Sequence, residues 1–147
     1  MKKILALLFT FTAITFAHQA SAQCDSVAGV CGKFIKAPFV SDGQAYRALV
    51  LPNQEAEFRT TFYAGTTYRL AACSGKGDGN LLFNVYSENI DNPNEQRNPI
   101  FLSAEHKDAP YWDFKVTTTV DVVITALLNP KTGAASGCAV LLVGFKQ

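Results

Sequence analysis

Histidine is scarce in this chain of 147 residues: there are two, and His18 falls in the N-terminal segment, leaving His106 as the one imidazole in the body of the protein. A chain with so little of the residue that moves protons near neutral pH has few ways to build general acid-base chemistry. Charge of either sign is also balanced, with 13 Lys and Arg against 12 Asp and Glu. No basic excess marks a nucleic-acid or anionic-membrane partner. No closely spaced Cys-x-x-Cys pair occurs among the four cysteines, which excludes the usual zinc arrangement. No cofactor motif replaces it: Gly75, Gly77 and Gly79 suggest a phosphate loop, but such a loop ends in Gly-Lys-Ser or Gly-Lys-Thr and opens a helix, whereas this one leads into a strand pattern.

The apolar run at the N-terminus, Ile4 to Ala17, is also short of the roughly 20 residues needed to span a bilayer. It follows Lys2 and Lys3 and ends at Ala20-Ser21-Ala22, the order of a cleavable secretory signal over residues 1–22. Gln23, before Cys24, does not fit a lipid-attachment box. Cleavage after Ala22 leaves 125 residues, enough for one domain with a real core. It removes Lys2 and Lys3, taking the basic count to 11 against 12 acids. Cys24, Cys31, Cys73 and Cys138 then sit in an oxidising compartment, periplasmic or outside the cell, where an even count predicts two disulfides. Three pairings are possible, and closeness in sequence favours Cys24 with Cys31 and Cys73 with Cys138.

Residues 23–42 read as a cysteine-containing lead-in with a short helical turn or irregular path, and residues 43–147 as the domain proper. From Gly43 the pattern has the period of strands. Gly43–Leu51 is the first. In Glu57–Tyr63, Phe58 and Phe62 alternate inward against Arg59 and Tyr63 outward. Ala64-Gly65 turns into Thr66–Cys73, the expected partner of a hairpin. Leu81, Phe83 and Val85 share one face of Leu81–Ser87. Asn89–Asn98 is dense in Asn, Asp and Pro and predicts an irregular connection, with a short strand at Ile100–Ser103. Trp112, Phe114 and Val116 alternate with polar residues, so Trp112 belongs to the core. Asp121–Leu128 is apolar enough for a central strand covered on both faces, and Cys138–Phe145 closes the domain. Seven to eight strands without a long helical stripe predict an all-β antiparallel sandwich, jelly-roll-like and disulfide-bonded.

Phe62-Tyr63-Ala64-Gly65-Thr66-Thr67-Tyr68-Arg69-Leu70, followed by Leu82-Phe83-Asn84-Val85-Tyr86, resembles bacterial pre-peptidase C-terminal domains, small β-sandwich modules appended to secreted enzymes. With Trp112-Asp113-Phe114 and Ser136-Gly137-Cys138, the chain is also similar to uncharacterised exported proteins of Bacteroidota-type bacteria. The resemblance spans about residues 43–146 and implies a sandwich fold. This chain reads as freestanding after its signal and carries four cysteines, so no ligand residue is transferred from that family.

Three residue sets invite a function. His106 has Ser103 and Asp108 nearby, the parts of a small secreted hydrolase, although the stretch is polar and has no nucleophile-elbow glycines. Calcium ligands are available in Asp78 and Asn80, and in Asp91, Asn92, Asn94 and Glu95. The same residues serve turns, and Lys76 and Arg97 oppose a cation. Tyr63, Tyr86 and Tyr111 fall on the outward parity of their strands and offer aromatic anchors to a glycan or an envelope protein. The expectation is therefore a non-catalytic exported binding module, with the His106 hydrolase as the alternative.

Overall fold

The computed structural model describes residues 24–75, 77–88, 97–133 and 137–146. The predicted signal segment 1–22 lies outside them, as do Lys76 and the calcium candidates Asp91, Asn92, Asn94 and Glu95. Among the described residues no helix is long and apolar enough to cross a membrane.

Among the described residues, eight strands form two antiparallel sheets. They are β1 (Val40–Val50), β2 (Glu55–Phe62), β3 (Thr67–Cys73), β4 (Leu81–Ser87), β5 (Asn98–Leu102), β6 (Tyr111–Lys115), β7 (Val120–Leu128) and β8 (Gly137–Lys146). One sheet has the order β1-β8-β3-β6 and the other β2-β7-β4-β5. Only β4 and β5 are consecutive strands paired in one sheet; every other connection crosses the sandwich. That order is the double Greek key of a jelly roll.

Alternation in each strand sends one set of side chains between the sheets. Phe62, Leu70, Leu81, Phe83, Val85, Ile124 and Leu141 meet there, nearly or wholly inaccessible. Each contributes about 1.5–3 kcal/mol by leaving water. β7 is central, as its composition predicts, with Val122, Val123, Ile124, Thr125 and Ala126 all buried. Trp112 points inward but is only half-buried, because β6 is an edge strand.

The expected hairpin of β2 with β3 does not form. β2 pairs with β7 along its whole length, while β3 lies between β6 and β8 in the other sheet. The Tyr63–Thr66 turn is an arch between layers. Phe62 and Tyr68 point at each other across the core, ring centroids 4.7 Å apart, so each strand satisfies its own apolar face without pairing with the other. Asn98, the last residue of the expected irregular connection, belongs to β5, which also takes in Pro99. Ser103 begins a 3-10 turn, Ser103–His106, instead of ending a strand.

The cysteine pairing also differs from the expectation. Cys24 bonds to Cys138 and Cys31 to Cys73. Residues 24–31 are helical and continue into a 3-10 turn at Gly32–Phe34, so Cys24 and Cys31 both anchor this segment to the adjacent strands β8 and β3. Val27, Cys31, Phe34 and Ile35 cover Ala71, Val140 and Leu142 on the outer face of that sheet. This explains why β8 is apolar on both faces. β1 begins at Val40, inside the expected lead-in.

Candidate functional site

The residues nominated by sequence are dispersed. Ser103 is fully buried, and its Oγ accepts from the Phe83 amide at 2.9 Å. Asp108 accepts from Lys131 Nζ at 2.8 Å and Asn129 Nδ2 at 3.2 Å, tying two loops together. These donors, Lys131 foremost, hold its carboxyl below the ordinary 3.8. His106 is exposed and stacks on Phe101, 4.9 Å between centroids. Neither Ser103 nor Asp108 makes a hydrogen bond to it, so the three residues of the hydrolase alternative are committed to separate structural tasks.

The two calcium candidates within the described residues are also engaged. Asp78 pairs with Lys33, and Asn80 donates to the Ser74 carbonyl. No group of three metal-ligating side chains occurs among the described residues.

Nor do the three tyrosines share a surface. Tyr86 faces outward from the β2-β7-β4-β5 sheet, since Phe83 and Val85 take the inward parity. Tyr111 faces outward from the opposite sheet, where its ring lies against Phe34 and the Arg69 guanidinium. Tyr63 sits apart from both, at one end of the sandwich.

That end has a defined architecture. Tyr63 is 62% exposed at the start of the arch. Its amide donates to the buried Tyr68 hydroxyl at 3.2 Å. The next amide, Ala64, donates to Thr119 Oγ1 at 3.1 Å, and Gly65 donates to the Val116 carbonyl at 2.8 Å. Val116 returns a bond to Thr66 at 3.0 Å. Gly65 adopts φ +84°, which a side chain would strain. The arch and the 116–119 turn are therefore laced into one unit, composed of Tyr, Ala, Gly, Val and Thr without a charge.

Two grooves flank this unit, one at each open edge of the sandwich. Between β5 and β6 lies an apolar cleft of about 250 Å³ lined by Ile100, Trp112, Phe114 and Val120. Between β1 and β2 lies a larger, more polar groove of about 450 Å³, whose lining includes Asp42, Gln44, Tyr46, Thr60 and Tyr63. Sequence reasoning found Tyr63 through its parity. It missed Asp42 and Gln44, which a bulge between Ser41 and Ala45 sets, exposed, in the lining of this groove. It also missed Thr119, whose hydroxyl accepts from an amide 55 residues away.

Fold and site together define an eight-stranded, disulfide-bonded jelly-roll domain with a rigid aromatic turn at one end. No protein-family model and no curated protein matches the chain. Among solved structures, the fold is similar to that of Aeromonas hydrophila PliG, a periplasmic lysozyme inhibitor of g-type lysozyme. The identity is 14%, the match covers 70% of this chain and 85% of that one, and the TM-score is 0.50. At this identity the likeness carries the fold.

Proposed function

We propose that this chain is an exported, non-catalytic binding protein that docks a lysozyme-type enzyme through the Tyr63 end of its sandwich. The observation that carries the proposal is the exposed Tyr63 ring on a turn fixed by three consecutive backbone donors. A rigid exposed tyrosine brings a large contact area at little entropic cost, because the turn is ordered before the partner arrives. The absence of charge in the surrounding turns favours recognition by aromatic burial and threonine hydroxyls over ion pairing. The partner class is suggested by the fold of PliG, and export by the 1–22 segment together with two disulfides.

The test is an inhibition assay. The disulfide-bonded chain starting at Gln23 is titrated into g-type lysozyme acting on a cell-wall suspension. Saturable inhibition is expected, weakened about 30-fold or more by Tyr63→Ala, the scale of an interface hot spot. Full enzyme activity at saturating chain, or inhibition indifferent to Tyr63→Ala, rejects the proposal.

A further inference from the structure

We infer that the groove between β1 and β2 is a second binding site, built for a neutral, hydroxyl-rich ligand such as an oligosaccharide. β1 and β2 belong to different sheets and flank the same open edge. Tyr46 and Phe58 bridge that edge, rings edge-to-face at 6.0 Å, and the Tyr46 hydroxyl donates to Thr60 Oγ1 at 3.4 Å. The groove runs from this bridge to Tyr63 and Thr66 at the arch, with Val143 and Phe145 of β8 beneath it. Its size lies within the range of about 300–1,000 Å³ common for small-ligand pockets.

Three features select the ligand chemistry. First, Asp42 and Gln44, both exposed in the β1 bulge, stand beside the half-buried Tyr46 in the groove lining. Partial burial is the foremost influence on the Asp42 carboxyl and raises it above 3.8, against the opposing bond from the Gln44 amide. Second, no Lys, Arg or His lines the groove, so phosphate or carboxylate ligands lack a counter-charge, and the lone carboxylate is too few for a divalent cation. Third, the floor is apolar while the walls offer a carboxylate, a carboxamide and hydroxyls. A sugar matches that combination, with C–H faces for the rings and hydroxyls for the polar walls.

The backbone supports this presentation. The β1–β8 register shifts between Ser41 and Ala45, and Gly43 takes φ +82° within the bulge. A bulge is a device for re-aiming side chains at a sheet edge. Here it carries Asp42 and Gln44 into the groove lining.

The experiment is an amide NMR titration of the disulfide-bonded chain with chitotetraose and, separately, cellotetraose, with no enzyme present, so its outcome is independent of the lysozyme proposal. Saturable shifts at Gln44, Tyr46 and Thr60 are expected with at least one sugar, and Gln44→Ala, an exposed position, should weaken the binding about tenfold. The inference is overturned if neither sugar at millimolar concentration moves these amides, if the shifts map elsewhere, or if Gln44→Ala binds as the parent does.

Discussion

Arg69 and Asp113 form a two-pronged ion pair across β3 and β6: Nε and Nη2 each donate to a different carboxylate oxygen at 2.6 Å. The same guanidinium lies 4.4 Å from the Phe39 ring and 4.5 Å from the Tyr111 ring, and Nη1 donates to the Phe34 carbonyl. One side chain thus joins the edge of a sheet to the N-terminal segment packed on it. Its positive charge is held more firmly than usual, chiefly by Asp113. Arg69→Lys keeps a charge but loses the planar fork and the ring stacking. It should cost about 1–2 kcal/mol, read as a lower urea midpoint with an unchanged slope.

The disulfides cross-link distant parts of the chain, with sequence separations of 114 for Cys24–Cys138 and 42 for Cys31–Cys73. In the chain-entropy account, removing them costs roughly 5 and 4 kcal/mol respectively. Peptide mapping without reduction should recover these two linked pairs. Replacing Cys31 and Cys73 together by Ser should lower stability by roughly 4 kcal/mol, measured by denaturant unfolding. Recovery of a Cys24–Cys31 peptide would contradict the arrangement.

Inward and outward positions were legible in the sequence; partnership was not. The period of two identified Phe62, Leu81, Phe83 and Val85 as inward, and the structure buries all four, while Phe58 and Trp112, read the same way, are only half-buried. The same pattern suits a hairpin or an arch at Ala64-Gly65, because either lets Phe62 and Tyr68 leave water. What decides between them is the pairing of β2 with β7 and β3 with β8, contacts made with residues 58 to 79 positions away. The cysteines follow the same logic. Cys24 and Cys31 are neighbours in sequence, but both lie on the segment that docks across β8 and β3. For the site, parity marked Tyr63, Tyr86 and Tyr111 as outward without saying from which sheet. Asp42 and Gln44 gave no signal of their own, because their place in the groove follows from the β1 bulge and from β2 lying across the edge from β1.

The lacing of the arch can be tested apart from its aromatic tip. Tyr68→Phe keeps the ring that packs on Phe62 and Phe114 and removes the oxygen that accepts the Tyr63 amide. The loss should cost about 1 kcal/mol of stability and raise the amide hydrogen exchange of Tyr63. If a pre-ordered turn matters for docking, lysozyme inhibition weakens several-fold, although Tyr63 itself is intact. Unchanged exchange at Tyr63 would mean that the Thr119 and Val116 contacts order the turn without Tyr68.

The Asp108 contact with Lys131 and Asn129 gives the opposite end of the sandwich a pH dependence whose sign is fixed. A carboxyl held below its ordinary 3.8 in the folded chain binds protons less readily than in the unfolded chain. Its contribution to stability is therefore complete above that value and lost as pH falls through the lower folded value. Asp108→Asn should melt below the parent at pH 6, and the gap should narrow as pH drops below about 3.8. Lys131→Met, which removes the principal donor, should narrow the gap already at pH 6 when combined with Asp108→Asn. The carboxyl of Glu57, also held low, chiefly by Arg97, is common to every variant and cancels from the comparison. A gap that stays constant from pH 6 to pH 2.5 would show that Asp108 acts through the neutral hydrogen bond to Asn129 and not through its charge.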